Sequence, residues 1–236
     1  MNKNILWLIV VLVSLSFGFA SCAEDTQVED PYANWQARNE HYLDSIVDVA
    51  RANADGRWYC VQNWKIWNDG MAGTGGIVFD DNFDMTDSVY VHFRSESVAA
   101  GSAPLYTDSI TTYYRGILIN GEQFDSNYQG DWDDVQTPQI YTPRGFLVSG
   151  LITGWQTALM ASHDGSYPGM KPGDNVDIYI PYQLGYGASG YLDIRGYSVL
   201  SFHMKLVSVT HPEGPDDRRW VLSIPFFISC IRQQNP

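Results

Sequence analysis

From Leu200 to Leu206 every second residue is apolar, namely Leu200, Phe202, Met204 and Leu206, while Ser201, His203 and Lys205 between them are polar. Successive side chains of a strand point to opposite faces of a sheet, so this run commits the chain to a β-sheet with one buried and one wetter face. Val89, Val91 and Phe93 alternate with Tyr90, His92 and Arg94 in the same way and predict a second half-buried strand. Residues 109–115 and 176–180 have the same character. Among these strands only residues 153–161 are spaced as a helix, with Trp155, Ala158 and Leu159 on one face. One short helix facing several antiparallel strands is an α+β domain. With 236 residues, 44% of them apolar, the chain has enough to bury its core.

Ahead of the sheet, Asp30 followed by Pro31 predicts a helix start and Gly56 a stop, giving a helix over residues 31–53. Trp35, Tyr42, Ile46, Val49 and Asn53 fall at near-helical spacing, and Leu43, Val47 and Ala50 widen that face, which must pack on the main domain. Trp58, Tyr59, Trp64 and Trp67 follow, interleaved with polar residues as in a strand or two. Such rings serve either as core or as a platform for sugars. Residues 71–87 are rich in Gly and Asp and predict a loop. Asp80, Asn82 and Asp84 have the opening spacing of a calcium loop without its glycine and closing glutamate, and Gly73-Thr74-Gly75-Gly76 lacks the Lys of a phosphate-binding loop.

The N-terminus reads as a targeting segment: Lys3, then an apolar stretch over residues 5–19, shorter than the roughly 20 residues a spanning helix needs. It leads into Phe19-Ala20-Ser21-Cys22, which resembles the lipobox at which bacteria attach diacylglycerol to a new N-terminal cysteine; ordinary leader cleavage is the alternative. Ala23, Glu24 and Asp25 open a polar tether, and acidic residues there resemble the export signal of Bacteroidetes surface lipoproteins. Export would put Cys60 and Cys230 where they either bridge or remain two buried or half-buried thiols. The formal net charge of −13 repels phosphate backbones and argues against nucleic acid as a partner. No nucleophile turn, H-E-x-x-H or C-x-x-C motif is present, and His41, His92, His163, His203 and His211 are scattered, mostly as surface or strand-exposed residues. The expectation is no metal and no cofactor.

Four segments, in order, resemble the FKBP family of peptidyl-prolyl isomerases. Tyr114-Arg115-Gly116-Ile117-Leu118 with Gly121-Glu122-Gln123-Phe124-Asp125-Ser126 looks like that family's strand, turn and G-x-x-F-D-S run. Leu151-Ile152-Thr153-Gly154-Trp155 resembles its V-I-x-G-W approach to the central helix, and Ile180-Pro181 with Leu184-Gly185-Tyr186-Gly187 its I-P-x-x-L-A-Y-G segment. Ile194 with Leu200-Ser201-Phe202 resembles the closing strand. The likeness covers residues 89–209.

The resemblance implies a five- or six-stranded antiparallel sheet curled around one short α-helix, preceded here by the N-terminal helix, with an apolar pocket between helix and sheet. Its matching catalytic residues would be Tyr114, Phe124, Asp125, Ile152, Trp155, Tyr186 and Phe202, with Leu151, Tyr191 and Ile194 at the substrate. Trp155 would be the floor, the Tyr186 phenol and the Ile152 N–H would bind substrate carbonyls, and Asp125 would orient a neighbouring tyrosine. Two positions depart from the family: Arg144 stands where another aromatic reaches the pocket, and Tyr191 where many members have His. An insertion over residues 162–170 lengthens the connection after the helix without touching the pocket. The implied activity is prolyl cis-trans isomerisation assisting the folding of exported, proline-containing polypeptides, in the cell envelope, lipid-anchored to the outer membrane on its periplasmic or outer side. The alternatives are a non-catalytic peptide-binding chaperone on the same fold and a surface glycan-binding adhesin using the tryptophan-rich region from Trp58 to Trp67. The domain reading is a leader (1–21), a tether (22–31), the helix and aromatic-rich extension (32–87), the isomerase domain (88–210) and a tail (211–236) whose apolar part is read as an added edge strand.

Overall fold

A computed structural model of the chain describes residues 30–68, 84–96, 101–129, 142–163 and 165–212, without the side chains of residues 67 and 68. Cys22 with the leader and most of the tether, most of the Gly/Asp-rich loop, Cys230 and the apolar tail lie outside the described residues. The chain divides into two units, 1–33 and 34–236. In the first, Asp30 does not open a helix: its Oδ1 accepts the Tyr32 N–H at 2.9 Å and its carbonyl accepts the Ala33 N–H at 2.9 Å, which closes a turn.

The second unit begins with Asn34 in the left-handed region and helix α1, Trp35–Ala52. The helix ends at Asn53, also left-handed, whose N–H bonds Val49 O while its side-chain amide donates to Trp58 O and accepts from Trp58 N–H. That double bond to the backbone stops the helix before Gly56, the predicted stop, and aims the chain into strand β1, Trp58–Gln62. The short helix α2, Trp64–Asn68, follows, then β2, Ser88–Phe93, β3, Ser109–Ile117, β4, Gln123–Ser126, and β5, Arg144–Leu147. Helix α3, Thr153–Leu159, β6, Asn175–Ile180, and β7, Leu200–Thr210, complete the unit.

The described strands form one antiparallel sheet in the order β1-β2-β6-β7-β3-β4, with β5 on β3. Strand β3 shares one edge between two partners: its first half pairs with β5, Ile110 opposite Phe146, and its end with β4, Gly116 opposite Asp125. The sheet has seven strands rather than five or six because the aromatic extension supplies β1.

Helix α3 lies against one face of the sheet, where Gly154 makes a close approach: a Cβ there would fall 2.8 Å from Ile180 Cδ1. Its other side is covered too. Trp64 Nε1 donates to Gln156 Oε1 at 2.9 Å, Lys65 Nζ to Thr153 Oγ1 at 3.1 Å, and Gln156 Nε2 to the Val148 and Ser149 carbonyls. All of Gly154, Trp155, Gln156, Thr157, Ala158 and Leu159 are therefore buried, not only the one predicted face. The 162–170 insertion closes the helix's far end, for Tyr167 is fully buried and donates to Ala158 O at 2.6 Å.

Helix α1 covers the opposite face. Leu43, Ile46, Val47 and Ala50 pack with Trp58, Cys60, Tyr90 and Val199, each larger side chain contributing about 2 kcal/mol of apolar burial. This cover turns β2 from a half-buried strand into one buried on both sides. Asn39 sits within the buried stripe of α1, whereas Val49, predicted on it, is half exposed. Trp58 stacks on His92 and Tyr179 within this layer, so the aromatic extension is core there. Cys60 is a buried thiol pushed up to about 12 by burial. Among the described residues no helix is long and apolar enough to cross a membrane, and no three His, Cys, Asp or Glu side chains gather as metal donors.

Candidate functional site

A cavity of about 660 Å³ opens between α3 and the end of the sheet formed by β3, β4, β5 and β7. Every pocket residue expected from the sequence lines it: Tyr114 from β3, Phe124 and Asp125 from β4, Leu151 and Ile152 from the turn before α3, Trp155 from α3, Tyr186, Tyr191 and Ile194 from the loop after β6, and Phe202 from β7. Cys22 lies outside the described residues.

The rings meet edge to face. Trp155 has Tyr114 at 5.3 Å, Phe202 at 5.1 Å and Phe146 at 5.7 Å between centroids, with planes 83°, 84° and 73° apart, and Phe124 stands 5.4 Å from Phe202 at 86°. Such packing directs ring edges at ring faces, an electrostatically favourable arrangement that fixes each wall. Gly116 makes it possible, because a Cβ there would fall 2.8 Å from Phe202 Cε1 and closer still to the Phe124 ring.

Polar groups are few and directional. Tyr114 Oη donates to Asp125 Oδ2 at 2.8 Å and accepts from Arg144 Nη1 at 3.1 Å. Burial first, and the Asp125 carboxylate next, push the Tyr114 phenol up to about 12, so it stays a donor at neutral pH. Burial and the nearby Asp125 charge raise Tyr186 as well, and its ring stacks on Tyr191 at 5.1 Å. Neither the Ile152 N–H nor the Tyr186 hydroxyl has a hydrogen-bond partner among the described residues. Nor does the Trp155 Nε1–H, although the indole is only 4% exposed. A buried donor without an acceptor costs about 1–3 kcal/mol, a cost that a ligand carbonyl would relieve.

The far rim is the 191–194 turn, closed by reciprocal bonds between Tyr191 and Ile194. Leu192 at its tip has positive φ and is 86% exposed. Helix α1 braces the chain behind it: Trp35 Nε1 donates to Ser198 Oγ at 3.0 Å, and Asn39 Oδ1 accepts the Val199 N–H at 2.7 Å.

The sequence reading left out Phe146, Gly150, Leu192 and Asp193 as lining residues, and it treated Arg144 only as a missing aromatic. The strand period held a signal for Phe146. Arg144 and Phe146 stand two apart on β5 and so share a face, and the Arg144 guanidinium lies 5.0 Å above the Phe146 ring.

The family of FKBP-type peptidyl-prolyl cis-trans isomerases is matched over residues 100–207. The peptidyl-prolyl cis-trans isomerase Mip of Coxiella burnetii is 36% identical over 120 residues, 50% of this chain and 44% of that protein. The FKBP-type peptidyl-prolyl cis-trans isomerase FkpA of Escherichia coli is 29% identical over 125 residues, 52% of this chain and 39% of that protein. The chain thus spans less than half the length of each of these relatives. The crystal structure of FkpA from Escherichia coli aligns at 22% identity over 89% of this chain and 83% of that one, with a TM-score of 0.42. Every residue lining the cavity falls inside the matched segment, so the cavity is built from the part of this chain that is similar to the family of FKBP-type peptidyl-prolyl cis-trans isomerases.

Proposed function

We propose that the chain is a peptidyl-prolyl cis-trans isomerase of the cell envelope acting on proline-containing polypeptides. The observation that carries this reading is the ring-walled cavity over Trp155, of a size for a proline ring and its flanking peptide. Rotation about an X-Pro bond meets a barrier of about 20 kcal/mol because the twisted amide loses its resonance. The planar, charge-separated amide depends on hydration more than the twisted one does, so a water-excluding pocket lowers the barrier without a nucleophile.

In this reading Trp155 is the floor under the proline ring and Phe124, Phe146 and Phe202 are its walls. The Ile152 N–H and the Tyr186 hydroxyl hold substrate carbonyls on either side of the rotating bond. Asp125, through Tyr114, sets the polarity of the wall facing the twisting carbonyl. Leu151, Tyr191 and Ile194 contact flanking residues. Residues 1–21 are the leader, Cys22 carries the lipid and residues 22–31 tether the domain to the outer membrane.

The test is the cis-to-trans rate of a short X-Pro peptide with the purified protein against Trp155→Ala and Tyr186→Phe. Trp155→Ala removes about 3–5 kcal/mol of core packing, so circular dichroism must first show it folded at the assay temperature. Acceleration that drops about tenfold or more in Trp155→Ala, and less in Tyr186→Phe, is expected. A folded wild-type protein that binds the peptide without accelerating it would turn the reading into a peptide-binding chaperone.

A further inference from the structure

Arg144 stands at the mouth of the cavity on β5, exposed and yet fixed. Its guanidinium lies 5.0 Å over the Phe146 ring, and Nη1 donates to Tyr114 Oη at 3.1 Å. A guanidinium carries five N–H donors in a rigid fork. The phenol occupies one, and no carboxylate lies within ion-pair distance of the rest among the described residues.

The two lining carboxylates do not cancel it. Asp125 accepts a hydrogen bond from the Tyr114 hydroxyl, which itself accepts from Arg144, so the row runs guanidinium, hydroxyl, carboxylate, with its positive end at β5. Asp193 is on the 191–194 turn across the opening. The mouth is therefore polar in a definite direction, with Arg144 among the residues that line a cavity walled by rings.

We infer that Arg144 is a specificity-determining residue that selects polypeptides with an Asp or Glu flanking the proline, its unused N–H groups taking the carboxylate. This rests on the peptide-binding reading of the cavity. A carboxylate matches the fork geometry, a neutral amide gains only one ordinary hydrogen bond, and a lysine meets like charge. The aromatic floor accepts the proline in every case, so Arg144 ranks clients by the residue beside it.

The test uses the whole protein with peptides bearing Glu, Gln or Lys directly before, or directly after, the proline. Both kcat/KM and Kd are measured, the latter by titrating the indole signals. Expected in the wild type at low salt is a preference of about fivefold for Glu over Gln at one of the two positions, with Lys poorest, shrinking as salt is added. In Arg144→Gln the Glu/Gln ratio should fall to near one, and Arg144→Lys should keep part of it. A Glu/Gln ratio that is the same in wild type and Arg144→Gln at both positions overturns the inference. Failure of the isomerase reading looks different: no peptide is accelerated, while the Glu/Gln ratio of dissociation constants still follows residue 144.

Discussion

Asp177 carries more of the outer sheet face than its single charge suggests. Arg94 Nε donates to both of its oxygens at 2.9 Å, His203 Nδ1 is bonded to Oδ1, and His92 Nδ1 stands 3.8 Å from Oδ2. Burial alone would push this carboxyl up, but the bonds from His203 and Arg94 outweigh it and hold it below the usual carboxylate range. A group depressed in the folded state stabilises the fold above its unfolded pKa of about 3.9 and loses that effect as pH falls through the folded value. Asp177→Asn should therefore cost about 2 kcal/mol in urea unfolding at pH 7 and at pH 5, with the gap to wild type closing below about pH 4. A gap as wide at pH 3 as at pH 7 would show that shape, not charge, is at stake. This network was illegible in the sequence, where His92 and His203 read as exposed strand residues. It exists because β2, β6 and β7 register His92 opposite Asp177 and Asp177 opposite His203, and alternation gives the face of a residue but not its cross-strand partner. Tyr114, Phe124, Trp155 and Phe202 were legible because their local runs are distinctive, whereas Arg144 gave no sign that it would bond the Tyr114 hydroxyl.

Helix α1 was legible as an element from its apolar spacing, but not its purpose. Asn39 sits mid-stripe, where a polar residue counts against burial, and is explained only by Val199, 160 positions away, whose N–H it accepts. Asn39→Leu keeps the volume and leaves that N–H buried without an acceptor, at a cost of about 1–3 kcal/mol. Amide exchange over residues 191–199 should then quicken more than exchange in β3. Lower stability with unchanged exchange in that segment would mean that α1 adds packing but does not brace the rim. The same helix explains why β2 reads as half-buried and is not: the helical spacing announced that this element would dock on the main domain, but not that it would cover β2. The turn at residues 30–33 shows the complementary failure, since Asp30 satisfied its neighbours' N–H groups two and three residues on and left the helix to begin after Asn34.

Within the second unit, residues distant in sequence pair with one another. Strands β3 and β7 lie side by side, with Thr111 bonded to Ser208, 97 positions on, and Trp35 reaches Ser198 across 163 positions. Chains dominated by such pairings fold slowly, because loop closure precedes the contacts that reward it. During synthesis α1 leaves the ribosome early, with its apolar stripe formed and most of the surface it will cover still unmade. A nascent chain arrested before residue 198 should be cut by protease along α1 and β1, and one extended past residue 212 and clear of the exit tunnel should resist. Protection of α1 at the shorter length would contradict this order. Until β7 arrives, the protein is itself an incompletely folded chain with an exposed greasy helix, and must be kept from aggregating as any other newly made polypeptide must.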